Sequence, residues 1–325
     1  MTTGISETEK SRATGRIRLR TLVTAGGAAV FGCLLYFQWT RTDPDPASVV
    51  LGADPGWMLL ATLAAVASYP AATAGFLGFV PERIGFGRAA LAQVAGSFVK
   101  LVAPMGLGGV ALNTRLLQRA GVTPGQAVSS VGAGQLAGLA LHMLQLAFFV
   151  SMFGIDPGAG LSSHPTALLV GGATVAVLAA AVLAVPWSRD RLLARLRPLT
   201  EGSLSRLRDL LRHPGRLAVG VLGQLLVSMA LVVSLYCCVR ATGAQPHFSA
   251  VAVAFLAGNA LGSAVPTPGG LLGVETAIAG MLSQTTGLGT ASALATVLLF
   301  RLLTFVLPVL PGWASLHWLQ RHDAL

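Results

Sequence analysis

Long apolar runs separated by short polar clusters set the pattern of this chain. Residues 21–40 form a mostly apolar run, about the twenty residues a helix needs to cross a bilayer. Arg12, Arg16, Arg18 and Arg20 precede it. A secretory signal has a shorter apolar region and a small-residue cleavage site, so this run is expected to stay as a first span. Further runs of spanning length cover residues 56–80, 124–153, 166–185, 217–239 and 291–316. The last should bend near Pro308 and Pro311, which lack the N–H that the helix ladder uses. The loop at 43–54 is acidic, with Asp43, Asp45 and Asp54, and residues 154–165 are rich in Gly and Pro.

Two stretches break this rhythm. Residues 88–101 are apolar but too short to cross. They end in Lys100-Leu101-Val102-Ala103-Pro104-Met105-Gly106-Leu107-Gly108-Gly109, and a second short helix is expected at 110–120. Residues 248–265 end in Pro266-Thr267-Pro268-Gly269-Gly270, with a second short helix at 271–282. Proline and glycine break helices, and broken backbone at membrane depth is tolerated only against protein or a wet cavity. The two breaks also resemble each other. Pro104-Met105-Gly106-Leu107-Gly108-Gly109-Val110 and Pro268-Gly269-Gly270-Leu271-Leu272-Gly273-Val274 both read P-x-G-L-x-G-V. Beyond them Gly121 aligns with Gly287, Ala127 with Ala293, Val131 with Val297, Leu136 with Leu302, and Gln135 with Arg301. An inverted repeat with broken helices is the architecture of many secondary transporters.

Composition turns these runs into a fold class. Of 325 residues, 54% are hydrophobic and 10% charged, where soluble domains carry about 25% charged residues. The chain is expected to be an all-α, polytopic membrane protein with six full spans and two opposed re-entrant hairpins. A basic tail, residues 1–20, precedes one transmembrane domain, residues 21–320. Its halves, 21–186 and 217–320, flank a linker at 188–216 that holds eight arginines and interleaved leucines. Such a pattern suits either surface-lying amphipathic helices or a solvated basic linker. Positive charge marks the cytoplasmic side, which places both termini and the linker there and the Asp loop outside. The first break must then return to the side it entered, and the second must enter from the other. The net charge of +10 sits in clusters. It points to anionic lipid as a partner, and no soluble stretch is long enough to be a nucleic-acid-binding domain. Cys33, Cys237 and Cys238 lie in apolar runs and read as packed or lipid-facing thiols. Neither they nor the six histidines have metal-ligand spacing, so no metal or cofactor is expected.

Charge inside the apolar runs supplies the candidate chemistry. A charged side chain at the bilayer centre costs about 2.5–3.5 kcal/mol on insertion scales and therefore needs a partner or a wet cavity. Lys100, Arg115, Glu275 and Arg301 are so placed. Glu275 should sit in the first turn of a half-helix, where the helix dipole favours a carboxylate, and an ion pair with Arg301 is expected. Lys100 and Arg115 flank the first break. With Asn113 and the glycines Gly106, Gly108, Gly109, Gly269 and Gly270 beside Pro104 and Pro268, they suggest an anion site between the hairpins. Gln135, His142 and Gln145 share a helical face. They suit either a cavity lining or interhelical hydrogen bonds.

At these residues the chain resembles the lysylphosphatidylglycerol synthase transmembrane (flippase-like) family. The resemblance rests on Ala103-Pro104-Met105-Gly106-Leu107-Gly108-Gly109-Val110-Ala111-Leu112-Asn113-Thr114-Arg115. It continues through Pro266-Thr267-Pro268-Gly269-Gly270-Leu271-Leu272-Gly273-Val274-Glu275 and Leu298-Leu299-Phe300-Arg301. It covers residues 20–320. The usual pattern is closer to P-G-G-L-G-x-x-E, so Leu272 is a one-residue departure. In full-length relatives this region moves an aminoacylated lipid across the bilayer and a separate soluble domain makes it, so the resemblance implies the membrane half. It implies a lipid or lipid-linked-metabolite translocase of the bacterial cytoplasmic membrane. The alternative is a non-transporting scaffold for a separate lipid- or envelope-modifying enzyme. An enzyme acting within the membrane ranks lowest: it would need a nucleophile, metal site or paired carboxylates, and Glu275 is the only clearly membrane-embedded carboxylate.

Overall fold

A computed structural model of the chain describes residues 48, 51–80, 84–102, 107–152, 212–263, 273–322 and 324–325. The expected spans at 21–40 and 166–185 lie outside these residues. So do the linker as far as residue 211, Cys33, and the two breaks with Pro104, Gly106, Pro268, Gly269, Gly270 and Leu272. The described secondary structure is helical: α1 Pro55–Phe79, α2 Phe86–Val102, α3 Leu107–Arg119, α4 Pro124–Met152, α5 Pro214–Ala241, α6 Phe248–Ser263, α7 Gly273–Thr286, α8 Thr290–Arg301 and α9 Val309–Arg321. Among the described residues four apolar helices are long enough to cross a membrane: Pro55–Phe79, Pro124–Met152, Pro214–Ala241 and the continuous rod Thr290–Arg321. Leu59, Leu63, Leu139, Leu144, Leu222 and Leu226 are exposed on them, as side chains facing lipid should be.

Local chemistry sets the ends of these helices. Asp54 caps α1 by accepting from the Trp57 N–H at 2.9 Å, and Pro55 occupies the first turn, where its missing N–H costs nothing. Gly121 and Gly287 end α3 and α7 in the left-handed region, at φ +88° and +73°. Only glycine adopts that conformation cheaply. These are the two glycines that the sequence alignment pairs. The next aligned residues, Ala127 with Ala293 and Val131 with Val297, are all buried.

α1 and α5 form the longest contact, and they run antiparallel. The Asp54 N–H donates to the Ala241 carbonyl at 3.0 Å, and Ser234 Oγ donates to the Ala61 carbonyl at 2.9 Å. At the far end Gly75 lies against Gly223 and Gly78 against Gly220, so close that a Cβ on Gly78 or Gly223 would overlap the opposing backbone. Small residues spaced in this way are how membrane helices approach closely without a hydrophobic drive between them.

Each short pair of helices folds back on itself. In α2–α3, Gln93 Nε2 donates to Asn113 Oδ1 at 3.2 Å, and the Lys100 stem passes over Gly109. In α6–α7, Thr285 Oγ1 donates to the Ala250 carbonyl at 3.1 Å, while Gly258 and Gly262 lie directly against Ile278 and Val274. The helix after each pair then packs on the other pair. α4 crosses α6, with Phe149 edge-on to Phe248 at 5.9 Å between ring centres. α9 crosses α2, with Gly312 against the backbone of Val94 and Phe98. Two apolar clusters result, one among α5–α8 and one where α2, α3 and α4 meet the end of α9. Cys237 and Cys238 are free thiols buried in the first cluster, which makes them packed rather than lipid-facing.

Candidate functional site

The site is built where α7 begins and α8 ends. Glu275 sits in the first turn of α7, 1% exposed. The partial positive charge at the helix start favours its carboxylate there. Arg301 is the last residue of α8, inside an apolar stretch whose neighbours Leu298, Leu299 and Phe300 are buried. Its Nε donates to Glu275 Oε1 at 2.7 Å. The guanidinium also lies over the Phe305 ring, 5.1 Å from the centroid, a favourable cation–π placement.

A single hydrogen bond joins the pair. Glu275 Oε2 and Arg301 Nη2 are both buried and have no partner. An unmet buried polar atom costs about 1–3 kcal/mol, and more when charged. One strong acceptor and one strong donor are thus buried beside the pair with their hydrogen-bonding capacity unused. Lys100, exposed on α2, lies close enough to Arg301 for the two charges to act on each other. With Lys100 within electrostatic range of Arg301, the charge balance around the pair is net positive, which suits an anion.

The backbone changes form immediately after Arg301. Leu302–Val306 is one turn of π-helix, with the Leu307 N–H bonded to the Leu302 carbonyl at 2.9 Å. Pro308 cannot donate and its ring crowds the carbonyl four residues back, so the ladder slips to the wider spacing before α9 begins. The sequence predicted a bend near Pro308; it did not predict this register change. Turns of this kind are frequent at functional sites.

The remaining candidates scatter. Asn113 is occupied by Gln93 across the α2–α3 pair, a partner the sequence reading missed although it is polar in an apolar helix. Gly108 is buried and Gly109 half-buried at the start of α3, next to Lys100. Arg115 lies on the exposed face of α3, about two turns past the break. No described contact brings it to Arg301. Gln135 is exposed on α4. Its two expected companions turn to different neighbours: His142 Nε2 pairs with the Leu256 carbonyl of α6 at 2.9 Å, and Gln145 Nε2 donates to the Leu225 carbonyl of α5 at 3.2 Å. His142 and Gln145 thus make interhelical hydrogen bonds, one of the two roles expected for this face. Ser263 bonds back to the Asn259 carbonyl at 2.6 Å, a local contact. Among the described residues no group of histidine, cysteine or carboxylate side chains could hold a metal ion.

In a sequence comparison no curated protein matched the chain. The sequence model of the lysylphosphatidylglycerol synthase TM region matches residues 23–312. That range takes in every helix described above except the end of α9, and it includes Lys100, Glu275 and Arg301. The chain belongs to the lysylphosphatidylglycerol synthase transmembrane-region family.

Proposed function

We propose that this protein is a lipid translocase of the bacterial cytoplasmic membrane, moving the headgroup of an anionic or lipid-linked substrate between two opposed re-entrant hairpins. The half-satisfied Glu275–Arg301 pair, with Lys100 of the other half beside it, is the observation that carries this reading. A purely structural ion pair would close both of its hydrogen bonds, because leaving charged atoms unmet in a dry interior is costly. Here the open atoms suit a phosphate oxygen on Arg301 and Lys100, with a hydroxyl or ammonium donor on Glu275.

In this reading six spans and two hairpins make up the domain, with both termini on the cytoplasmic side. Several observations support the inversion of the halves. α1 and α5 are antiparallel, the hairpin arms fold back in both halves, and Gly121 and Gly287 end equivalent arms in the same backbone conformation. α2–α3 and α6–α7 then enter from opposite faces and meet near the midplane, where transporters of this architecture hold their substrates. The protein performs no covalent chemistry on the lipid, and a separate enzyme supplies it.

The test is reconstitution of the purified chain into liposomes with a labelled phospholipid in one leaflet. Faster exchange of an anionic or aminoacylated phospholipid than in protein-free vesicles is expected, with loss in Arg301→Gln. Absence of acceleration for anionic, aminoacylated and polyprenyl-linked lipids alike would sink the proposal.

A further inference from the structure

We infer that a second lipid site, for a zwitterionic phospholipid headgroup, lies far from Glu275 at the end of the α1–α5 pair that carries Asp54 and Arg240. A cavity of about 500 Å³ opens there between the start of α1 and the turn after α5, within reach of Asp54, Trp57, Arg240, Thr242 and Gln245. Ligand pockets have volumes of about 300–1,000 Å³.

Depth places this cavity among headgroups. α5 has 28 residues, about 42 Å of helix, against a hydrocarbon core of about 30 Å. Its ends therefore emerge into the polar layer, and Arg240 is next to the last residue. Trp57 and Tyr236 lie at the same end, edge-on at 6.4 Å, and Tyr236 meets Phe248 at 5.4 Å. Such an aromatic belt marks the membrane interface.

Charge defines the ligand. The Arg240 guanidinium stands 4.9 Å over the Trp57 ring, which steadies it while leaving its N–H groups to a further partner. Asp54 spends one oxygen on its helix cap, and the other is without a described partner. The two opposite charges line one cavity and yet form no ion pair with each other or with any other described residue. A headgroup carrying both a phosphate and an ammonium would satisfy both, with phosphate on Arg240 and ammonium on Asp54. The two charges of this cavity sum to zero, whereas Lys100, Glu275 and Arg301 sum to a positive site. An anionic lipid would meet Asp54 without compensation, so this cavity favours the zwitterion.

Native mass spectrometry of the full chain tests this, with phosphatidylethanolamine and phosphatidylglycerol of matched acyl chains supplied together. Asp54→Asn removes the charge and keeps a good helix cap, and Arg240→Gln removes the cation. Each is expected to lower retention of phosphatidylethanolamine roughly tenfold, the size of one charge-assisted contact. Asp54→Asn should leave phosphatidylglycerol unchanged or raised, and Arg321→Gln, at a different helix end, should change neither. Equal retention in wild type and both variants would overturn the inference. So would a loss of phosphatidylethanolamine in Arg321→Gln as large as in Arg240→Gln. Competition by soluble phosphoethanolamine as effective as by the lipid would replace the lipid with a free headgroup ester. Translocation is not read in this experiment, so its failure and failure of the transport reading remain separate.

Discussion

Glu275 and Arg301 share one hydrogen bond although both have atoms for a second. Removing one member of a buried pair leaves a bare charge and costs about 3–5 kcal/mol, whereas removing both can be nearly neutral. Glu275→Gln and Arg301→Gln should therefore each lower thermal stability in detergent, and the double variant should recover most of it. Lipid exchange should stay lost in the double variant. Recovery of exchange together with stability would show that the pair only holds α7 to α8. The pair was legible in the sequence because a carboxylate and an arginine inside apolar runs have few ways to be paid for. The surroundings of Arg115 were not legible for the converse reason. It is close to the break along the chain, but helix rotation carries it to the exposed face, and sequence proximity does not encode that.

At the scale of elements, proline and glycine carried most of the information. They marked where α2 gives way to α3 and α6 to α7, and they placed the ends of α3 and α7 within a few residues. The close approach of α1 and α5 rests on Gly75-x-x-Gly78 and Gly220-x-x-Gly223, a spacing that the hydropathy pattern did not single out. Gly78→Val should push these helices apart and lower stability by about 1–3 kcal/mol, read as an earlier thermal transition. Gly280→Ala in α7, where a Cβ meets nothing, should be neutral or slightly stabilising in the same measurement. Equal effects of the two would contradict close packing at Gly78. The π-turn at Leu302–Val306 was not legible. Pro308 announces a bend, while the choice between a kink and a slipped ladder depends on what packs around it. For His142 and Gln145 the structure shows interhelical hydrogen bonds, one of the two roles the sequence left open, while the particular carbonyls they take depend on tertiary packing.

For the whole molecule, the proposed inverted arrangement makes a topological prediction. With Cys33, Cys237 and Cys238 replaced, Met105→Cys and Gly270→Cys should react with a membrane-impermeant thiol reagent from opposite sides or through one shared cavity. Reaction of both from the cytoplasmic side alone would contradict opposed hairpins. The all-helical membrane fold could be read from hydropathy, and the repeated P-x-G-L-x-G-V anticipated that Gly121 and Gly287 would end equivalent helices. The exchange of partners between the halves could not, because nothing local says that α4 will cross α6 while α9 crosses α2.

That exchange has a consequence for biogenesis. α2 reaches its native neighbour only when Gly312 has been made, about 200 residues later. At about 5–20 residues per second, this is a wait of roughly ten to forty seconds. During that time Val94 and Phe98 need lipid, an insertase or a chaperone to cover them. A ribosome stalled before residue 309 would release a chain whose first hairpin lacks this neighbour, and membrane quality control would meet it as unfinished.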